Sequence, residues 1–151
     1  MKFTLICLSL LTVVACNTPV SKEPSPSPII GTWKLISGTT IKGTDTTTTD
    51  YTKGKEMIKI ITATHFSFLN HDLNHGKDST ASFTAGGGRV KIGEGKYTEL
   101  LDYCNYREWE GGTFDFDYTV SGDSLSIIGI EKVEKAGIDH LNIEKYVRIK
   151  N

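Results

Sequence analysis

Residues Thr113–Ser121 read TFDFDYTVS, an unbroken alternation of polar and apolar side chains. Successive side chains of a β-strand point to opposite faces. One face of this segment therefore carries four apolar residues, Phe114, Phe116, Tyr118 and Val120. A strand with one apolar face and one polar face is typical of an antiparallel sheet that covers a core on one side only.

Similar segments, separated by turns rich in Gly, Asp or Asn, extend in both directions from this strand. The predicted strands are Gly31–Thr39, Glu56–Thr62, His65–Asn70, Ser79–Thr84, Arg89–Ile92, Lys96–Tyr103, Thr113–Ser121, Ser124–Ile130 and Leu141–Lys150. The threonine-rich run Thr44–Thr52 is either a long loop or a frayed edge strand. Eight or nine short antiparallel strands suit a sandwich or a closed up-and-down barrel, and composition does not separate the two.

The start of the chain has the features of an export signal. Lys2 supplies a positive charge, and Phe3–Ala15 is almost wholly apolar or small. This run is shorter than the roughly 20 helical residues needed to cross a bilayer, and it fits a secretory signal. The sequence Val13-Val14-Ala15-Cys16 resembles the lipobox of bacterial lipoproteins. We therefore expect residues 1–15 to be removed and Cys16 to carry a lipid anchor.

A proline-rich segment follows Cys16. Asn17–Pro28 reads NTPVSKEPSPSP and holds all four prolines of the chain. Such a segment cannot bury enough apolar surface to offset its ordering entropy, and proline keeps it extended. We predict a tether over residues 16–28, which links the membrane to one folded domain over residues 29–151. Asn17 replaces the aspartate that retains enterobacterial lipoproteins at the inner membrane, which favours the outer membrane.

Charge and cysteine content narrow the function classes. Loss of Lys2 with the signal leaves 16 basic residues against 18 acidic ones, a net charge near −2. No basic stripe of the kind that nucleic-acid binding requires is present in the sequence. Cys104 is the one cysteine left for the folded domain, so an intrachain disulfide is excluded. It is either a buried small apolar residue or a catalytic thiol.

Two short motifs lie at the ends of the predicted domain. Gly31-Thr32-Trp33 lies on the first strand, and Arg148 lies on the last. These motifs resemble those of lipocalin-like (calycin) barrels. The internal segments THFSF (64–68), GGGRV (86–90), KYTE (96–99) and EKYVR (144–148) resemble a lipocalin-like domain family of unknown function found in lipoproteins of Bacteroidota. The resemblance implies an all-β, antiparallel up-and-down barrel of about eight strands, closed where Trp33 packs against Arg148. It also implies a small ligand in the barrel.

A set of aromatic and charged residues is predicted to contact that ligand. Its members are Tyr97, Glu99, Tyr103, Phe116, Tyr118, Tyr146 and Arg148. Tyr97, Glu99, Leu101 and Tyr103 are expected to share one face of a strand, as are Glu144, Tyr146 and Arg148. The alternative is that Arg148 forms an internal ion pair that merely supports Trp33. Tyr106 and Trp109 form a further aromatic group, suited equally to ligand contact and to packing.

Metal and reaction chemistry receive weaker support from the sequence. His65, His71, Asp72, His75 and Asp78 crowd one stretch, but turn-forming residues surround them and the HExxH pattern is absent. A solvated loop is the better interpretation, and no metal or cofactor is predicted. The acidic residues Glu99, Asp102, Glu108 and Glu110 show no spacing that singles out a catalytic pair.

Three hypotheses remain from the sequence. The first and preferred one is a monomeric, membrane-tethered barrel that binds a small apolar or amphipathic molecule and has no enzymatic activity. The second is an envelope interaction protein whose barrel is filled with side chains. The third is a small hydrolase that uses Glu99 or His65 as a general base.

Overall fold

A computed structural model describes residues 25–150 of the chain. The predicted signal peptide, Cys16 and most of the predicted tether lie outside these residues. The described residues form nine β-strands, which are β1 Gly31–Lys42, β2 Asp45–Asp50, β3 Lys55–Ile61, β4 His65–Asp72, β5 Phe83–Ile92, β6 Lys96–Cys104, β7 Thr113–Ser121, β8 Ser124–Val133 and β9 Ile138–Arg148.

Eight of these strands close into a barrel. β1 pairs with β3, each later strand pairs with the next, and β9 returns to pair with β1 along most of its length. All pairings are antiparallel, with Trp33 opposite Arg148 at one end and Ile41 opposite Leu141 at the other. The predicted antiparallel up-and-down barrel is therefore confirmed, and the sandwich alternative is wrong.

β2 is the extra strand. It pairs with the second half of β1, beside the point where β3 stops pairing with β1. The threonine-rich run is thus an edge strand rather than a loop.

The central glycines lie inside a strand, where the sequence had suggested a break between two strands. β5 runs through Gly86, Gly87 and Gly88 without interruption. A Cβ added to Gly86 would lie 2.7 Å from the ring of Phe68, and one added to Gly87 would lie 2.5 Å from the carbonyl oxygen of Phe66. Glycine is required here because the neighbouring strand approaches the backbone closely, not because the chain turns.

A β-bulge opposite Gly88 changes which face of β6 looks inward. Gly87 pairs with Tyr103 whereas Arg89 pairs with Leu100, so β6 has one residue more than β5 in this interval. A bulge of this kind reverses the alternation of side chains beyond it. The prediction that Tyr103 shares a face with Tyr97 is therefore wrong: Tyr103 is 74 % exposed, and Cys104 points inward in its place.

The two ends of the barrel differ. The tight turns after β3, β5 and β7 gather at what we call the closed end. Gly95 and Gly122 have left-handed backbone conformations in two of these turns. The longer connections after β2, β4, β6 and β8 gather at what we call the open end. One of these connections contains the short 3-10 helix Arg107–Trp109.

Candidate ligand-binding cavity

Trp33 and Arg148 seal the closed end. Trp33 is fully buried, and the guanidinium carbon of Arg148 lies 4.0 Å from the centre of its ring. The indole N–H donates to the carbonyl oxygen of Ile29 at 2.8 Å. The guanidinium group donates to the carbonyl oxygens of Ile30 at 2.9 Å and Pro28 at 2.7 Å. These bonds fold residues 28–30 across the barrel end, so this end offers no entrance.

The last residues of the predicted tether also touch the barrel. The hydroxyl of Tyr118 donates to the carbonyl oxygen of Gly93 at 3.1 Å and lies 3.2 Å from the Ser27 hydroxyl. Tyr118, predicted as a ligand contact, thus belongs to the seal.

Large side chains fill the half of the barrel next to the seal. Tyr97 and Tyr146 are almost fully buried, and the ring of Phe116 stacks on that of Tyr97 with 6.2 Å between centroids. Leu125 and Ile127 of β8 complete this packing, each 1 % exposed. This half of the barrel is a packed core, and none of these five side chains lines the cavity described below.

A buried ion cluster lies above that core. The ammonium group of Lys59 on β3 donates to Glu99 of β6 at 2.9 Å and to Glu144 of β9 at 3.1 Å. The hydroxyl of Tyr146 donates to the same Glu144 oxygen at 2.6 Å. The side chain of Lys59 is 4 % exposed, so its charge depends on these two carboxylates rather than on water.

The pKa values of the cluster follow from burial and charge. Burial alone would lower the pKa of Lys59, but the carboxylates of Glu144 and Glu99 outweigh it and hold that pKa well above its ordinary value. Burial opposes ionisation of Glu144, yet Lys59 and the Tyr146 hydroxyl keep the pKa of this carboxyl below its usual range. Burial raises the pKa of Glu99, against the attraction of Lys59. Lys59 is therefore charged, and its charge is paired with these buried carboxylates.

A cavity of about 400 Å³ occupies the open half of the barrel, above the cluster. Such a volume falls within the range of about 300–1,000 Å³ typical of small-molecule sites. Its apolar and aromatic walls come from Leu35, Tyr51, Met57, Phe68, Leu101, Cys104, Tyr106, Trp109 and Phe114. Its polar lining comes from Gly38, Thr40, Thr49, Lys59, Asn70, Thr84, Glu99, Glu131, His140, Asn142 and Glu144.

The connection between β6 and β7 places two aromatic side chains at the rim of the cavity. The 3-10 helix carries Trp109, whose ring lies 5.7 Å from that of Phe114 on the inner wall. Glu110 fixes this turn by accepting from the backbone N–H of Cys104 and from the side chain of Arg107, both at 2.9 Å. Tyr106, the other aromatic residue of the rim, is 54 % exposed.

Glu131 brings a third carboxyl group to the cavity from β8. It accepts hydrogen bonds from the amide of Asn142 at 3.0 Å and from the imidazole of His140 at 3.1 Å. Burial, followed by repulsion from the Glu144 carboxylate, raises the pKa of Glu131 to about 7. Its charge thus changes close to neutral pH.

The residues predicted to bind a ligand are divided among several places. Of the predicted set, Glu99 lines the cavity. Tyr97, Phe116 and Tyr146 lie in the packed half below it, and Tyr118 and Arg148 belong to the seal. Tyr103 lies on the outer surface because of the bulge in β6. Glu99 therefore remains a proposed ligand contact. Tyr146 supports it only indirectly, because Tyr146 donates to Glu144, and Glu144 shares Lys59 with Glu99.

Most of the polar residues of the cavity were missed in the sequence, including four that carry charge or form hydrogen bonds there. Lys59, Glu131, His140 and Asn142 all line it. Lys59 shares the inward face of β3 with Met57 and Ile61. This alternation was the one sequence pattern that could have placed Lys59 inside the barrel. Glu131 and His140 lie beyond the predicted strand ends, because β8 and β9 each continue about three residues further toward the open end than their patterns indicated.

The histidine-rich stretch forms a loop at the open end of β4. The buried carboxylate of Asp72 accepts from the backbone N–H groups of Gly76 at 2.8 Å and Ser82 at 2.9 Å, and these bonds lower its pKa. Across residues 25–150, no three His, Cys, Asp or Glu side chains come together as metal ligands. His65 is exposed on the outside of the barrel, where its ring contacts the Thr64 hydroxyl at 2.9 Å.

Comparison with protein-family models and with curated proteins gives no match for this chain. Within the described part of the chain, no helix has the length and apolar character needed to span a bilayer.

Proposed function

We propose that this protein is a lipid-anchored envelope lipoprotein whose barrel binds a small apolar or amphipathic molecule. The observation that carries the binding role is the cavity of about 400 Å³ in the open half of the barrel. Membership of the lipocalin-like family is part of the proposal and is supported by Trp33 and Arg148, which pack together as that resemblance implies.

The shape of the interior favours a binding role over that of a filled structural barrel. The seal and the aromatic core occupy one half, so a guest can enter only from the open end. Apolar and aromatic side chains line the other half together with polar and charged ones, a combination that suits amphipathic molecules. A barrel that served only as a surface for a partner would gain stability by filling this space.

The same arrangement favours binding over catalysis. Glu99, the proposed general base of the hydrolase hypothesis, is paired with Lys59 and 7 % exposed. His65 lies outside the barrel and away from the cavity. A general base must reach the proton that it removes. The Glu99 carboxylate already accepts from Lys59, and His65 does not line the cavity.

A single bulky side chain in the cavity is expected to block binding. Thr49 of β2 lines the cavity, so Thr49→Trp should fill part of it and weaken binding of a neutral N-phenylnaphthylamine dye by about tenfold or more. The measurement is a dye titration, followed by fluorescence excited outside the tryptophan absorption band.

The neighbouring residue provides the matched control. Thr48 is exposed, and its hydroxyl lies 2.9 Å from that of Thr39. Since Thr48 and Thr49 project from opposite faces of one strand, Thr48→Trp adds the same bulk on the outside. Equal dye affinity in the two variants, or no dye binding by the unmodified protein, would argue against the proposed cavity function.

Membrane attachment is expected to depend on Cys16. Cys16→Ser in the full-length precursor should abolish incorporation of an alkyne-tagged fatty acid and move the protein from the membrane fraction to the soluble fraction of the cell envelope. Cys104→Ser is the control, because this buried thiol lies in the barrel. Unchanged labelling and fractionation of Cys16→Ser would show that the anchor lies elsewhere.

A further inference from the structure

The charges that line the cavity do not balance. Lys59 faces three carboxyl groups, those of Glu99, Glu131 and Glu144. Within residues 25–150, no other lysine and no arginine lines the cavity. Lys59 already donates to both Glu99 and Glu144, so its charge is committed to them. The cavity therefore has a surplus of negative charge and of hydrogen-bond acceptors.

Of the three carboxyl groups, Glu131 is the one that accepts no hydrogen bond from Lys59. Its two donors are the neutral amide of Asn142 and the imidazole of His140, which carries charge only when protonated. The side chain of Glu131 is 18 % exposed, so water screens its charge only weakly. A further acceptor, the side-chain oxygen of Asn70, is buried and has no partner among the described residues, and Asn70 also lines the cavity.

Aromatic rings form a large share of the remaining wall. Tyr51, Phe68, Tyr106, Trp109 and Phe114 all line the cavity. The faces of such rings attract cations, and the attraction is stronger in a desolvated site than in water. Carboxylates combined with aromatic faces favour an ammonium group that is attached to an apolar body.

We propose that the ligand of this cavity is a cationic amphipath, with an alkylammonium head at Glu131 and an apolar body along the aromatic wall. This inference rests on the proposed binding function and specifies its ligand class. A ligand with an anionic head would meet Glu131 and Glu144 without a free cation to oppose them. A neutral ligand could donate a hydroxyl to Asn70, but it would bring no positive charge to Glu131.

The same geometry makes binding of such a ligand pH-dependent. Titratable groups face Glu131 from every neighbouring element: Lys59 on β3, Glu99 on β6, Tyr51 beside β2, and His140 and Glu144 on β9. With a pKa of about 7, Glu131 loses its charge as the pH falls below neutrality. This loss of negative charge weakens the attraction for a cation.

Three ligands with one alkyl chain and different heads test this proposal. Decylammonium, decanol and decanoate are titrated against the dye-loaded domain at a pH of about 8 and of about 5.5, and alkylammonium stays charged at both values. We expect decylammonium to bind about tenfold or more tightly than either of the others at the higher pH. Most of that preference should disappear at the lower pH.

Glu131→Gln is the variant that locates the effect. It should reduce the preference for decylammonium at high pH and remove its pH dependence, while decanol binding stays within about twofold. Glu94→Gln, which removes an exposed carboxylate in the turn after β5 at the closed end, is the matched control and should change neither. If Glu131→Gln fails to fold, the pH titration of the unmodified protein still decides the outcome.

The results separate this inference from the function on which it rests. If decanol or decanoate binds at least as well as decylammonium at high pH, the cationic ligand class is wrong and the binding function stands. A preference for decylammonium that is unaffected by both pH and Glu131→Gln would overturn the role of Glu131. If none of the three displaces the dye and the dye itself does not bind, the proposed cavity function fails as well.

Discussion

Replacement of Lys59 by methionine is expected to lower the free energy of unfolding by about 3–5 kcal/mol, because it removes the cation from a buried ion cluster. Glu99 and Glu144 would then lie in the barrel with no positive partner, and Glu144 would keep the hydrogen bond from the hydroxyl of Tyr146. For a domain of this size, the melting temperature should fall by about 10–20 °C. Urea and thermal unfolding at neutral pH measure both quantities.

The loss in Lys59→Met should depend on pH. In the unmodified protein the pKa of Lys59 is raised, so its stabilisation is complete below the ordinary value of 10.5 and is lost as pH rises through the folded-state pKa. In the variant, the attraction of Lys59 is lost, so burial should raise the pKa values of the Glu99 and Glu144 carboxyl groups in the folded state. The folded state then binds more protons than the unfolded state, so the deficit should shrink as the pH falls toward the ordinary carboxyl range.

Two further variants define the cause of the loss. Lys34→Met removes the partner of Glu56 on the outer surface, where both side chains are 37 % exposed, and should cost no more than about 1 kcal/mol. Combining Lys59→Met with Glu99→Gln and Glu144→Gln removes all three charges and should restore most of the lost stability. If Lys59→Met costs no more than Lys34→Met, the buried cluster is not a significant determinant of stability.

The barrel itself was predictable because its signals are local. Alternation with a period of two residues, interrupted by Gly and Asn turns, reports strand direction and the two faces of the sheet. The pairing of Trp33 with Arg148 needed one more element, a resemblance in which the first and last strands meet. The same alternation placed Glu144 on one face with Tyr146 and placed Glu99 on one face with Tyr97, but it left open whether these faces point inward. In the structure they do.

The composition of the cavity was not predictable, for two physical reasons. Lysine is rarely buried, so the sequence gives no reason to place Lys59 inside the barrel. Its burial is possible only because Glu99 and Glu144, which are distant in sequence, pair with its charge. The bulge in β6 depends on the close approach of Gly88 to the backbone around Leu100, a contact between strands that alternation within one strand cannot reveal. That single extra residue moved Tyr103 outward and placed Cys104 on the cavity wall.

Trp33→Ala is expected to lower the free energy of unfolding by about 3–5 kcal/mol, the usual cost of deleting a fully buried tryptophan side chain. The substitution removes the ring beneath Arg148 and the indole N–H bonded to Ile29. The seal should therefore loosen together with the core. Chemical unfolding gives the loss, and a double-mutant cycle with Arg148→Met should give a coupling energy of about 0.5–2 kcal/mol for the ring and the guanidinium group.

The chain contains a second tryptophan that serves as the control. Trp109 is partly exposed at the rim of the cavity, so Trp109→Ala should cost only about 1–2 kcal/mol of stability while it weakens dye binding. Trp33→Ala should do the reverse: the protein that remains folded should bind the dye with nearly unchanged affinity, because the packed half of the barrel separates Trp33 from the cavity. If Trp33→Ala abolished dye binding in fully folded protein, the two halves of the barrel would have to act as one unit. Independent effects of the two variants would instead show that one half maintains the fold and the other is free to hold a guest.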